Sequence, residues 1–365
     1  MIGDRLDDIV KCTRCGRCLA ICPIREELGW ESTGARGRML LARALAEGVS
    51  PSDAMRNSFY TCLTCAMCTS TCPSGAKPDE VVESARKCLV DADSAPPYYR
   101  VVAENIAMLG NPLGEAGSRT AWAPAGAVGG RSDLIFWAGC LMSYRKQVAA
   151  KAAFKIMSRF GAKLLEDERC CGSPMLRLGG HPSTLEHNLR QIERSGAKTI
   201  VTGCAGCYKT LKEDYGLGDV EVLHITQFLA RSAGELGLRR LSLKLTYHDP
   251  CHLGRCMNVY EEPRAIIRRI GSFVEMGSSK DNARCCGGGG GVRRGYRDIS
   301  RRIAAKRLNE VPGGVDYIVT ACPMCNSSLE DAGGNVIDLC ELVLKSMGTE
   351  DEMMVIEKEK EPSGR

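Results

Sequence analysis

The chain has 365 residues, 44% hydrophobic and 25% charged, which is ordinary globular composition for two or three domains and excludes a disordered or fibrous polymer. Its formal charge of +5 counts cysteines as neutral; two four-thiolate iron–sulfur cubanes at about −2 each would bring it to about +1, and no basic stripe with interleaved aromatics is present, so no nucleic-acid partner is expected. The outlier is 21 cysteines behind an opening, Met1-Ile2-Gly3-Asp4-Arg5, that carries no apolar leader, so a cytoplasmic protein with metal-binding thiols is expected rather than a secreted disulfide scaffold.

Cys12-Thr-Arg-Cys15-Gly-Arg-Cys18-Leu-Ala-Ile-Cys22-Pro23 follows the bacterial ferredoxin spacing C-x2-C-x2-C-x3-C-P, and Cys62-Leu-Thr-Cys65-Ala-Met-Cys68-Thr-Ser-Thr-Cys72-Pro73 repeats it. In two-cluster ferredoxins the fourth cysteine of each run ligates the other cluster. The expected 4Fe-4S cubanes therefore use Cys12, Cys15, Cys18 and Cys72, and Cys62, Cys65, Cys68 and Cys22. A pair of zinc knuckles is the alternative, which both prolines and both full runs disfavour. Between the runs, 35–48 and 52–60 read as helices, and Pro78, Asp79 and Glu80 open a third whose apolar face is Val81, Val82, Ala85, Cys88 and Leu89. Arg36, Arg38 and Arg43 stand near the first run, either supporting a cluster or as a solvated helix face.

Residues 110–131 are dense in Gly, Ala and Pro and mark a boundary. Beyond it short β runs alternate with helical ones. Strands are expected at 133–137, 163–165, 198–202 and 220–223, with helices at 143–160, 183–195, after Cys204, and at 226–231. A second copy follows. Cys140, Cys170-Cys171-Gly172 and Cys204-Ala-Gly-Cys207 recur as Cys251, Cys285-Cys286-Gly287 and Cys322-Pro-Met-Cys325, at offsets of 111, 115 and 118. Five cysteines per copy exceed what a tetrahedral zinc site uses, so a multi-iron cluster is the better reading. In open α/β sheets ligands sit at the carboxyl ends of the strands, where Cys140, Cys204, Cys251 and Cys322 fall. Each CxxC pair opens a helix, whose free N–H groups and dipole favour an anionic cluster.

The architecture expected is an α+β multidomain chain. It comprises an all-α ferredoxin-like two-cluster domain over 1–95, a Gly/Pro/Ala-rich linker over 96–131, tandem α/β domains over 132–241 and 242–347, and a charged tail over 348–365. No apolar run approaches the roughly 18 residues of a membrane span, so membrane contact would come through a partner.

Gly29-Trp-Glu-Ser32 with Arg36-Gly-Arg38, Cys170-Cys-Gly-Ser-Pro-Met-Leu-Arg177, Cys204-Ala-Gly-Cys-Tyr208, Tyr247-His-Asp-Pro-Cys-His-Leu-Gly-Arg255 and Cys285-Cys-Gly-Gly-Gly-Gly-Gly-Val-Arg293 resemble the CCG-domain iron–sulfur proteins, within them the heterodisulfide reductases. The resemblance covers about residues 5–345. It implies one or two noncubane 4Fe-4S clusters, on Cys140, Cys170, Cys171, Cys204 and Cys207 and on Cys251, Cys285, Cys286, Cys322 and Cys325. It also implies a small-molecule disulfide, CoM-S-S-CoB, split between them by electrons relayed through the cubanes. The donor would be a membrane b-type cytochrome, placing the chain peripherally at the inner membrane face. One departure is that 29 residues precede the first cysteine pair against 33 in the second copy.

The anionic groups of such a substrate call for basic residues, and Arg145, Arg177, Arg255, Arg293 and Arg294 are candidates. His248 and His252 flank Cys251 as candidate proton donors or as structural histidines. The glycine run 287–291 lacks a phosphate-loop context, and close backbone approach to a cluster explains it equally well. Cys88 reads as a core residue; Cys256 and Cys340 have no counterpart in the first copy. The rival function is the electron-relay subunit of a glycolate or lactate dehydrogenase beside a flavoprotein, or of a menaquinol-linked membrane complex.

Overall fold

The computed structural model describes residues 2–348, so all but the first residue of the expected charged tail lies outside the described residues. The N-terminal region is helical, as its periodicity predicts. Its main helices are Ala35–Ala46, Asp53–Tyr60 and Pro78–Asp91. Ser52 caps the second by accepting from the Met55 N–H, and Pro78 occupies the first turn of the third. Val81, Val82, Ala85 and Leu89 face inward as expected, whereas Cys88 is only half-buried.

The span 96–131, expected as linker, is not all loop. Pro97–Leu109 is a helix, started by Pro97 and stopped by Gly110 at φ +67°; Val102 and Ile106, one turn apart, are its buried face. Downstream, Trp122 and Ala127 are buried against the following domain. The stretch is a packed strap.

Two parallel sheets follow. Strands β1 (Leu134–Trp137), β2 (Thr199–Thr202) and β3 (Glu221–His224) form the first in the order β1-β2-β3. The second contains β4 (Lys244–Tyr247), β5 (Ser272–Phe273), β6 (Tyr317–Thr320) and β7 (Val336–Asp338), in the order β5-β4-β6-β7. Strand cores such as Ile135, Phe136, Ile200, Leu245 and Val319 are buried on both faces, as expected for helix-covered parallel sheets. The expected strand at 163–165 is reduced to two single bridges, Ile135 to Lys163 and Val128 to Leu164. The helix expected over 143–160 is split at Lys146 into Gly139–Arg145 and Gln147–Ser158.

The domains interlock. Gln147–Ser158 packs on Leu339–Met347 and Ile225–Arg231 on Glu261–Ile270, which joins the two sheet domains. Arg86, fully buried, ties the helical domain to both. Its guanidinium donates to the carbonyls of Phe59, Cys62, Arg177 and Gly290 at 2.5–3.1 Å. The glycine run is the other half of this junction: a Cβ at Gly289 or Gly290 would collide with the backbone of Cys62 and Leu63, so at these two positions the close approach is to neighbouring backbone. Arg86→Met would leave four buried carbonyls short of a charged donor, and we expect a loss of about 3 kcal/mol in anaerobic denaturant unfolding.

Candidate metal centre

The first cysteine run lies at the surface. Cys15 is exposed, Cys12, Cys18 and Cys72 are half-buried, and Cys72 shares an apolar cluster with Cys12. The thiol of Cys18 is pushed up to about 11 by burial and by Cys12, Cys22 and Cys15 around it. The second run is deeper. Cys22 crosses over to Cys62, Cys65 and Cys68, and the four line one cavity with Pro23, Pro78 and Val82. Burial, then Asp79 and the neighbouring thiols, push Cys68 well above its ordinary range. Left-handed backbone at Arg14, Gly16, Thr64 and Ala66 (φ +47° to +80°) turns the two runs inward.

The ten cysteines of the two sheet domains form one row. Neighbouring thiols shift one another's protonation in the order Cys140, Cys170, Cys171, Cys207, Cys204 in the first domain and Cys322, Cys325, Cys286, Cys285, Cys251 in the second. Cys204 meets Cys322 across the domain seam, and Cys285 meets Cys65 of the helical domain. Eight of the ten are buried; Cys204 and Cys251 are half-exposed. Thiols along the row are driven apart. Cys170 and Cys207 beside it take Cys171 down to about 6, and Cys285 takes Cys65 down to about 6. Cys204 is lowered by Cys207 and then by Cys322 across the seam, and Cys204 pushes Cys322 up to about 12.

The loops that carry these thiols are held by buried ion pairs. After β1, Glu168 accepts from the Ala138 and Gly139 N–H groups at 2.9 Å and pairs with Arg119, also at 2.9 Å. Arg119 in turn donates to Cys140 Sγ at 3.4 Å. After β4, fully buried Arg264 grips Asp249 through two bonds of 2.7 and 2.9 Å and reaches Glu275. Arg119 lies in the strap, where sequence spacing gave no signal. It also borders a concavity of about 390 Å³ with Tyr144, Glu115 and Arg169, on the outer flank of Cys140.

The basic candidates separate. Arg145 is exposed and pairs with Glu115. Arg177 pairs with Glu83, and its Nε is buried without a partner. Arg255 pins the carbonyls of Cys65 and Ala283 at 2.9 and 2.6 Å and leaves Nη2 unpartnered. Arg293 pairs with Asp331, and Arg294 is exposed. Lys146 and Lys209 were not singled out by sequence: Lys146 pairs with Glu330 across the domain seam, and Lys209 stands near Cys256. His252 is committed to the Thr64 carbonyl at 3.1 Å, with burial, then Arg177, depressing it to about 3. Cys340 is core, its N–H capped by Asp338, and Cys256 is half-buried beside Cys251. Arg38 is structural, donating to Ser58 O and Thr61; Arg36 pairs with Glu31 and Arg43 with Glu47.

These residues fit iron–sulfur groups. Thiolates in mutual contact and out of water repel unless cationic metal neutralises them. Among the described residues all 21 cysteines are free thiols.

Residues 8–76 match the profile of the 4Fe-4S dicluster domain, and residues 134–212 and 245–330 each match the Cysteine-rich domain, CCG. The chain therefore belongs to the iron–sulfur proteins that join a dicluster domain to two CCG domains. Among its relatives is a subunit of the Dihydromethanophenazine:CoB--CoM heterodisulfide reductase of Methanosarcina barkeri, 31% identical over 94% of this chain and 95% of the relative. A subunit of the Fumarate reductase (CoM/CoB) of Methanothermobacter marburgensis is 31% identical over 88% of this chain and 67% of its own. The EtfAB:quinone oxidoreductase of Syntrophomonas wolfei is 26% identical over 93% of this chain and 58% of its own.

Four 4Fe-4S groups would bring about 16 iron atoms per chain. Substituting Cys22→Ala should disturb the EPR signal of the buried cubane on Cys62, Cys65 and Cys68 and spare the surface one; the reverse pattern would refute the crossover.

Proposed function

We propose that this chain is the disulfide-reducing subunit of a heterodisulfide reductase-type complex, R–S–S–R′ + 2e⁻ + 2H⁺ → RSH + R′SH. The substrate is CoM-S-S-CoB or a disulfide of similar charge. What carries this reading is the succession of neighbouring thiols, eight of ten buried, from Cys65 through Cys285 to the Cys204–Cys322 seam. When bound, the clusters supply single electrons at two adjoining places, which matches the two-electron demand of one disulfide. Cys12, Cys15, Cys18 and Cys72 would hold the entry cubane and Cys22, Cys62, Cys65 and Cys68 the inner one, with the two quintets holding the noncubane groups.

The protein's own contribution is positioning and charge. Half-exposed Cys204 and Cys251 mark the accessible side of the row. Arg177 and Lys209 lie near the Cys256 thiol there, and Lys146 crosses the seam. They would bind the sulfonate, phosphate and carboxylate groups of the substrate. Burial of the other eight thiols keeps water from the reducing groups. No helix among the described residues is long and apolar enough to cross a membrane, so electrons from a membrane donor would arrive through a partner protein at the exposed Cys15 end.

A second reading is an electron relay serving a flavoprotein or a quinone-linked complex. It is favoured by the carboxylate that each of these cations already holds: Glu330 on Lys146, Glu83 on Arg177, Glu213 on Lys209.

Anaerobically purified protein with reduced viologen and CoM-S-S-CoB should release two thiols per disulfide; no release with every cluster present by spectroscopy would leave the relay reading. Lys209→Gln should raise KM about tenfold, roughly one charge-assisted contact, with kcat little changed.

A further inference from the structure

His248, Cys286 and Cys325 offer ligand atoms that all lie within 4.8 Å of one another, all three buried. Taken by composition, this is a histidine–dithiolate metal site. The hydrogen bonding of the ring speaks against it. Arg307, itself fully buried, donates from Nε to His248 Nδ1 at 3.1 Å. A guanidinium has no acceptor and does not lose its proton in a protein. Nδ1 is therefore the bare nitrogen of the ring, and the single imidazole proton sits on Nε2. A histidine that ligates metal has the opposite arrangement, with one nitrogen bare toward the metal and the other donating outward. Nε2 is buried and makes no hydrogen bond in the protein, and the ring lies with a nitrogen within 4.8 Å of Cys286 Sγ.

We infer that His248 is a fixed N–H donor to the Cys286 sulfur of the second quintet, not an iron ligand, and that Arg307 is the positioning residue that enforces this tautomer. Arg307 is itself held by the Ser278 carbonyl and hydroxyl, both at 2.9 Å, and by Glu310. The device belongs to one domain only. Strand register and the offset of 111 place Trp137 of the first domain where His248 stands in the second. Its indole Nε1 is likewise buried without a partner; an indole can donate but cannot accept, so no tautomer needs fixing there. The nitrogen donor to sulfur in the first domain comes instead from Arg119 on Cys140. The two quintets thus differ in which cysteine receives a hydrogen bond and from what group, and such bonds raise the reduction potential of the cluster they touch.

The inference rests on the second quintet holding an iron–sulfur group and is independent of which disulfide is reduced. Wild-type holoprotein labelled with 15N-histidine, reduced anaerobically, should show by pulsed EPR a weak nitrogen coupling to one cluster, of the size a hydrogen bond transmits. A strong coupling typical of a directly bound imidazole, or no coupling to any cluster, would overturn it. In redox titration, His248→Phe should lower the midpoint potential of one cluster and leave the others in place, and Arg307→Met should give a smaller shift in the same direction. An unmoved set of potentials with all clusters present in His248→Phe would overturn the inference while leaving the proposed function standing. Protein without iron on the second quintet would overturn both.

Discussion

The contact between Cys65 and Cys285 exists because nothing but backbone separates the second cysteine run from the glycine loop 287–291. A side chain at Gly289 or Gly290 would strike Cys62 or Leu63, so the loop admits none, and Arg86 then satisfies the carbonyls that this approach buries. The inner four-cysteine set and the second quintet thereby become neighbours, and the row of sulfur continues without a break into the first domain. Three domains share one buried seam, and their separate folding would serve little purpose without it.

Charge is the second constraint. A row of thiols this deep needs positive groups, and the chain provides them sparingly, each tied to a carboxylate or a carbonyl: Arg119 with Glu168, Arg264 with Asp249, Arg255 with the Cys65 carbonyl. Taking one partner from such a buried pair costs about 3–5 kcal/mol, whereas the pair itself contributes little net stability. These pairs hold the strand-end loops at fixed positions, and geometry is what a multi-iron group requires of its ligands.

Much of this could be read in the sequence because cluster chemistry is written in short spacings. The CxxCxxC runs, the doubled CCG quintets and the helix-opening CxxC pairs are local, and Cys22 stands at the fourth position of its run, ahead of Pro23. The helix Pro97–Leu109 also had its signals, Pro97, Gly110 and the Val102–Ile106 pair, but the Gly/Pro-rich residues beyond it masked them. At the break Lys146 leaves helical geometry (φ −131°, ψ 52°) and pairs with Glu330, a partner 184 residues away. Arg86, Arg119 and Arg307 left no local trace, since their partners lie 24 to 204, 21 to 49, and 59 residues away for the contacts that matter. Local pattern picked out the cysteines; long-range hydrogen bonds decide what surrounds them.

The measurement that bears most directly on a continuous, iron-filled sulfur row is anomalous diffraction at the iron edge from anaerobically grown crystals. The account predicts iron on both four-cysteine sets, with the inner set next to iron on Cys251, Cys285, Cys286, Cys322 and Cys325, and further iron beyond the Cys204–Cys322 seam. Isolated single-metal sites, or these cysteines joined as disulfides, would contradict it.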